Sequence, residues 1–84
     1  MTVPVLRLYT RHECPPCEEM KQQLRAIESE FGFKLEVHDV DGQPRMAEQY
    51  GRYVPVLLWG QTVICYHRLD IDALARALTP LQDD

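Results

Sequence analysis

The spacing of apolar residues along the 84-residue chain alternates between a strand period and a helix period. Val3 to Tyr9 alternates apolar and polar side chains loosely, which predicts a first strand. From Pro15 to about Glu30, apolar residues recur every three or four positions, which predicts an amphipathic helix. These recurring residues are Cys17, Met20, Leu24, Ile27 and Phe31. Pro15 suits the first helical position and Gly32 suits the position just past the helix end.

The middle of the chain continues the alternation. Lys34 to Val40 sets Leu35 and Val37 against polar neighbours, which predicts a second strand. Asp41-Gly42 is a turn signal, and Pro44 to Tyr50 is typical of a short helix that ends at Gly51.

The last third predicts two strands and a helix. Val54 to Trp59 is an unbroken apolar run, which indicates a buried strand, and Gly60-Gln61 favours a tight hairpin into Thr62 to Tyr66. Asp70 is placed to cap a final helix that ends before Pro80. Its apolar stripe consists of Ile71, Leu74, Ala75 and Leu78. We expect Leu81 to Asp84 to be a frayed tail.

The predicted order is β-α-β-α-β-β-α. A right-handed crossover makes the first two strands parallel, and the hairpin makes the last two antiparallel. The sequence therefore predicts an α/β protein with a four-stranded mixed sheet and three helices. The length allows one domain, which we expect to cover residues 1–84.

Composition and charge limit the kinds of partner that the protein can bind. Hydrophobic residues make up 45% and charged residues 26% of the chain, as is usual for globular proteins. The formal charge of −4 argues against nucleic acid as a partner, because phosphate binding needs a basic patch. No stretch is long enough to cross a membrane, and the apolar run before Arg7 is too short for a signal peptide. We therefore expect a cytoplasmic monomer.

The strongest chemical signal is Cys14-Pro15-Pro16-Cys17, which follows the first strand and opens the first helix. Two cysteines at this spacing can form a disulfide, and this setting indicates a redox motif. Cys14 occupies the expected N-cap position, where its sulfur can accept the N–H of Cys17 and the helix dipole favours a thiolate. Pro15 and Pro16 lack N–H groups, so they reduce the number of donors available to that thiolate.

This arrangement, with Val54-Pro55 opening the third strand, resembles the thioredoxin fold in its small glutaredoxin form over about residues 4–78. Leu8-Tyr9-Thr10, the segment 50–57 and Arg68-Leu69-Asp70 are similar to short bacterial glutaredoxin-like proteins. The resemblance implies that Cys14 attacks a substrate disulfide and that Cys17 resolves the mixed disulfide. No cofactor is implied.

The resemblance also implies a substrate-binding segment at Val54 and Pro55. It implies a cis Pro55, which would turn the Val54 backbone outward to pair with an extended substrate. Arg11 and His12 would support the Cys14 thiolate and bind substrate. The neighbouring acids Glu13, Glu18 and Glu19 would oppose the thiolate.

The loop after the fourth strand differs from that of glutathione-using glutaredoxins. Those proteins place a Gly-Gly pair here, whereas this chain has Tyr66-His67-Arg68-Leu69-Asp70. Side chains in this loop would crowd the tripeptide, although Arg68 could still attract a carboxylate. We therefore expect a disulfide-containing protein or a small thiol as substrate, with glutathione use in doubt.

Two alternatives remain open. Cys14, Cys17, Cys65 and His67 offer a Cys₃His ligand set for a metal or an iron–sulfur cluster, although a lone strand cysteine is more often a buried inert thiol. The other alternative is a peptide-binding module that keeps the fold without turnover. The leading interpretation is a thiol–disulfide oxidoreductase.

Overall fold

The computed structural model describes residues 3–78. Over this range the elements follow the predicted order β-α-β-α-β-β-α. The strands are β1 (Val5–Thr10), β2 (Lys34–Asp39), β3 (Val56–Trp59) and β4 (Thr62–Tyr66). The helices are α1 (Pro15–Phe31), α2 (Pro44–Tyr50) and α3 (Ile71–Leu78), with a short 3₁₀ turn at Val40–Gly42. The expected helix stop at Pro80 and the expected tail at Leu81 to Asp84 lie outside the described residues.

The four strands form one mixed sheet in the order β2-β1-β3-β4. β1 and β2 run parallel, whereas β3 is antiparallel to both β1 and β4. The carboxyl end of β1, the start of β3 and the end of β4 therefore meet at one edge of the sheet. The loops that follow or precede these ends carry the candidate site.

The sheet is covered on both faces, because successive side chains of the central strands point in opposite directions. Leu8 and Leu57 belong to a cluster with residues of α1 and α3. Tyr9 and Leu58 belong to a second cluster, against which residues of α2 pack. The unbroken apolar run of β3 is explained by this burial on both faces, as the sequence predicts.

Two strand starts differ from the prediction because of prolines. β1 begins at Val5 rather than Val3, since Pro4 has no N–H to give to a ladder. β3 begins at Val56 rather than Val54, since Pro55 likewise cannot donate. Val54 and Pro55 therefore form a connection in front of the strand.

The end of β2 also differs from the prediction. β2 stops at Asp39, whose side chain accepts the Asp41 N–H at 2.8 Å and so starts the 3₁₀ turn that includes Val40. Because β2 is an outer strand, Val37 is more than a third exposed, while Leu35 is buried as expected.

The helix boundaries match the signals in the sequence. Gly32 ends α1 in the left-handed conformation (φ 76°), and its N–H donates to the Glu28 carbonyl. Asp70 caps α3, because its carboxylate accepts the Ala73 N–H at 3.0 Å. Within residues 3–78, no helix combines the length and the apolar character needed to span a membrane.

Candidate functional site

The cysteine pair is placed by the start of α1. Cys14 has an extended backbone (φ −125°, ψ 91°) and is the N-cap residue, and prolines follow in the first turn. Its Sγ accepts the Cys17 N–H at 3.3 Å, and its carbonyl oxygen accepts the N–H groups of Cys17 and Glu18. Because the first amides of a helix have no partners within it, this sulfur lies against partial positive charge. The prediction that Cys14 caps the helix is confirmed.

Cys14 and Cys17 form a disulfide, with their Cα atoms 5.2 Å apart. The two residues differ in access. Cys17 is 1% exposed, whereas Cys14 is half-buried and lines an open groove with the residues before it. An incoming molecule therefore reaches the sulfur of Cys14 more easily than that of Cys17.

The loop that leads into the pair is held by Asp41. One carboxylate oxygen of Asp41 accepts from the Arg11 guanidinium at 2.9 Å, and the other accepts the His12 backbone N–H at 3.0 Å. The Asp39 carboxylate lies 3.4 Å from the His12 ring. Arg11 also donates to the Gly51 carbonyl at 3.0 Å. We call Arg11, His12, Asp39 and Asp41 the polar flank.

The charged groups near Cys14 have ionic partners. The His12 N–H and then the Arg11 side chain are the main causes that hold the pKa of Asp41 below its ordinary value. Glu18, in the first turn of α1, lies 3.2 Å from Lys21. Arg11 and Glu18 thus have ionic partners of their own, and their expected influence on a Cys14 thiolate stays a prediction.

The Val54–Pro55 peptide bond is cis, as the resemblance implies. Pro55 is fully buried, and its carbonyl oxygen accepts the His67 N–H at 2.8 Å. Among residues 3–78, no hydrogen bond engages the backbone of Val54. The Val54 N–H and C=O are therefore available for a partner strand.

The loop between β4 and α3 lies beside the cysteine pair, as expected from the topology. His67 and Arg68 line the same groove as Pro16 and Glu19. Arg68 makes no ion pair within the described part of the chain. His67 adopts φ 71°, in the left-handed region that favours glycine.

The Cys₃His ligand set considered above is not assembled. Cys65 is 8% exposed among the core residues under α1 and α3, and burial raises the pKa of its thiol. Of residues 3–78, one group of three potential metal ligands lies within 4.8 Å, namely His12, Asp39 and Asp41. Both oxygens of Asp41 already accept hydrogen bonds, so we interpret this group as the internal network of the polar flank.

An aromatic surface next to Pro55 is not predicted by the sequence pattern. The Tyr53 and Tyr66 rings meet edge-on at 5.7 Å, and the His67 ring lies 4.9 Å from Tyr66 and 6.3 Å from Tyr53. Tyr53 is 46% exposed and Tyr66 is 52% exposed. We call Tyr53, Tyr66 and His67 the aromatic flank. The usable signal was the pairing of strands three and four, which sets Tyr66 opposite Val56.

Comparisons with known proteins agree with this geometry. A sequence model of the glutaredoxin-like domain (DUF836) matches residues 5–79. Proteins of Mycobacterium tuberculosis and Mycobacterium bovis, both called uncharacterized, are each 35% identical over 63 residues, or 69% of this chain. The chain spans 65% of the length of these relatives.

Solved structures give the same result for the fold. The solution NMR structure of a protein from Nitrosomonas europaea is 32% identical with a TM-score of 0.80, and the match covers 92% of this chain and 93% of that one. Thioredoxin 1 from Thermosipho africanus is 19% identical with a TM-score of 0.63 over 94% of each chain. The thioredoxin fold predicted from the sequence is therefore confirmed.

Proposed function

The chain belongs to the glutaredoxin-like domain family, and from that premise we propose that it is a thiol–disulfide oxidoreductase whose redox couple is Cys14 and Cys17. The observation that carries the proposal is the asymmetry of the pair. The half-buried Cys14 caps α1 and borders an open groove, while the buried Cys17 is bonded to it. The accessible Cys14 sulfur can therefore react with substrate, and the buried Cys17 sulfur can then react with Cys14.

The proposed reaction starts from the reduced protein. The Cys14 thiolate, favoured by the helix N-terminus and the Cys17 N–H, attacks one sulfur of a substrate disulfide. The other substrate sulfur leaves as a thiolate and takes a proton from solvent. The Cys17 thiol loses its proton, and its thiolate then attacks the Cys14 sulfur and releases the second substrate thiol. Two electrons pass to the substrate, the Cys14–Cys17 disulfide forms, and an external thiol reductant restores the dithiol.

The expected substrate-binding residues surround this pair. The open backbone of Val54, in front of Pro55, supports pairing with an extended substrate. Arg68 lines a groove with Pro16 and has no ion pair of its own among residues 3–78, so its charge is available to a substrate. We retain Arg11 and His12 as groups that border the Cys14 groove.

We propose that disulfides other than those of glutathione are the main substrates. The loop Tyr66 to Asp70 carries no glycine, and the side chains of Tyr66, His67 and Arg68 are exposed. We also propose the cytoplasm as the compartment, because an odd number of cysteines suits a transient catalytic disulfide better than a structural framework.

The test compares Cys14→Ser, Cys17→Ser and the control Cys65→Ala in a disulfide reductase assay. We expect Cys14→Ser to lose activity and Cys17→Ser to stop after the mixed disulfide, because each removes one step of exchange. Cys65→Ala should retain activity, since the buried Cys65 takes no part. Full activity in Cys14→Ser would show that the mechanism is wrong. If the wild-type protein catalysed no thiol–disulfide exchange but still bound peptide, the peptide-binding alternative would be favoured.

A further inference from the structure

The aromatic flank is ordered without being buried. Each of the three rings contacts the other two, with centroids 4.9 to 6.3 Å apart. Tyr53 and Tyr66 nevertheless remain about half exposed. Exposed rings that are already held in place lose little conformational freedom on binding, which makes such clusters effective contact surfaces.

The backbone of His67 is held in an uncommon conformation. Its φ of 71° is disfavoured for a residue with a Cβ, yet its N–H donates to the Pro55 carbonyl at 2.8 Å. This bond fixes the loop against Pro55, and the conformation sets the His67 ring beside both tyrosines. Strained residues of this kind persist where the surrounding structure holds them, often at binding sites.

The aromatic flank is continuous with the redox site. His67 lines the groove that contains Pro16, and Tyr53 directly precedes Val54, whose backbone is open. On the other side of the cluster, Tyr53, Tyr66 and the exposed Val63 border an apolar groove against α2. A segment paired with Val54 would therefore lie against the rings.

Two arginines adjoin the aromatic flank in the sequence, and one of them, Arg68, lines a groove with His67. Arg52 precedes Tyr53 and Arg68 follows His67, and both are exposed. Neither arginine makes an ion pair within the described residues, although the whole chain carries a net charge of −4. The cations on the opposite side of the pair differ, because Arg11 is bound to Asp41. Two unmatched guanidinium groups favour an acidic partner.

We propose that Tyr53, Tyr66 and His67 form the docking surface for an extended segment of a protein disulfide. The segment places an apolar or aromatic side chain next to its cysteine on the rings, and acidic residues next to Arg52 and Arg68. It pairs with the Val54 backbone and so presents its disulfide to Cys14. This inference rests on the proposed function and specifies the substrate class as polypeptide.

The kinetic test uses two substrates. One is a peptide disulfide with tyrosine and glutamate beside the cysteine, and the other is hydroxyethyl disulfide, which has no peptide backbone and no aromatic or acidic group. We expect the ratio of kcat/KM for the peptide to that for the small disulfide to fall about ten-fold in Tyr53→Ala/Tyr66→Ala. The control Val37→Ala, which removes an exposed apolar side chain from β2, should leave the ratio unchanged.

Changes in the peptide provide the complementary test. Replacing its tyrosine by glycine should lower the wild-type ratio about as much as the double variant does, and should have little further effect on that variant. Replacing its glutamate by lysine should also lower the wild-type ratio, and this decrease in the ratio should be smaller at high salt. A ratio that is insensitive to the tyrosine or to the glutamate would overturn the proposal.

A binding measurement covers the case in which the double variant does not fold. Cys14→Ser/Cys17→Ser protein is titrated with the peptide carrying serine for cysteine, and ring resonances are followed by NMR. We expect shifts in the ring resonances of Tyr53, Tyr66 and His67, and no shift in the methyl resonances of Val37, which are followed in the same titration. Shifts confined to other surfaces would overturn the docking site. If instead the wild type reduced neither disulfide while the peptide still bound the rings, the proposed function would fail and the docking surface would stand.

Discussion

The polar and aromatic flanks lie on either side of one cysteine pair, and they differ in how fully their own groups are satisfied. In the polar flank, Asp41 joins Arg11 to the His12 backbone, and Arg11 reaches on to Gly51. In the aromatic flank, the rings contact one another but stay exposed. Arg68, which follows the flank, has no ion pair within residues 3–78. The main polar groups of the first flank are paired with one another, whereas the exposed rings of the second and the neighbouring Arg68 have no such partners within that range.

This difference suggests that the two flanks have different roles. Groups that already satisfy one another gain little from a ligand, because binding would first have to break their bonds. Exposed rings and unmatched cations have more to gain. We therefore expect changes in the polar flank to affect chiefly the stability of the fold, and changes in the aromatic flank to affect chiefly the choice of substrate.

The largest effect on stability is expected from Gly51→Ala. A Cβ at Gly51 would lie 2.4 Å from the Ala47 carbonyl oxygen and 3.3 Å from Nη1 of Arg11. A backbone oxygen cannot rotate away, so we expect a loss of about 1–3 kcal/mol in the free energy of unfolding. Denaturant titration measures it. Gly42→Ala is the control, since a Cβ there meets nothing within 4 Å. Equal losses in both variants would contradict the steric account.

Asp41→Asn should give a smaller loss that depends on pH. The folded protein lowers the pKa of Asp41, so the ionised carboxylate stabilises the fold at any pH above the pKa of the unfolded state, about 3.9. This stabilisation is lost as the pH falls through the lower pKa of the folded state. We expect the variant to be less stable than the wild type at pH 7, with a difference that narrows below about pH 4. Glu30→Gln, at the far end of α1, is the charge-matched control. A difference that stayed constant down to acid pH would argue against a stabilising role of the Asp41 carboxylate.

The smallest expected effect concerns the backbone of His67. Glycine tolerates φ 71° and alanine does not, so His67→Gly should be more stable than His67→Ala by about 1 kcal/mol. Both variants lack the ring, and both should lose preference for the peptide disulfide. Thermal or denaturant unfolding of the pair measures the difference. If alanine were tolerated as well as glycine, the left-handed conformation would have no energetic role.

Local signals in the sequence were sufficient for the fold and for the cysteine pair. Apolar patterns and turn signals together indicated each helix and strand, and the spacing of Cys14 and Cys17 at a helix start indicated a disulfide-forming pair. The predicted starts of two strands were two residues too early. The apolar pattern runs through Pro4 and Pro55, although neither proline can donate a hydrogen bond to a neighbouring strand.

The flanks were harder to predict because their contacts are distant in sequence. Asp41 was recognised only as part of a turn, although it holds residues about 30 positions earlier in the chain. Tyr53 and His67 meet only because β3 and β4 pair, and His67 takes a conformation that sequence reasoning reserves for glycine. Propensity describes neighbours along the chain, whereas these contacts depend on the topology.

Capture of a mixed disulfide tests the central claim most directly. Reduced Cys17→Ser is mixed with the peptide disulfide, and the adduct is located by mass spectrometry. The account predicts one peptide attached to Cys14, which the addition of a thiol reductant releases. Attachment to Cys65, or the absence of any adduct while Cys14 remains reactive toward an alkylating agent, would contradict it.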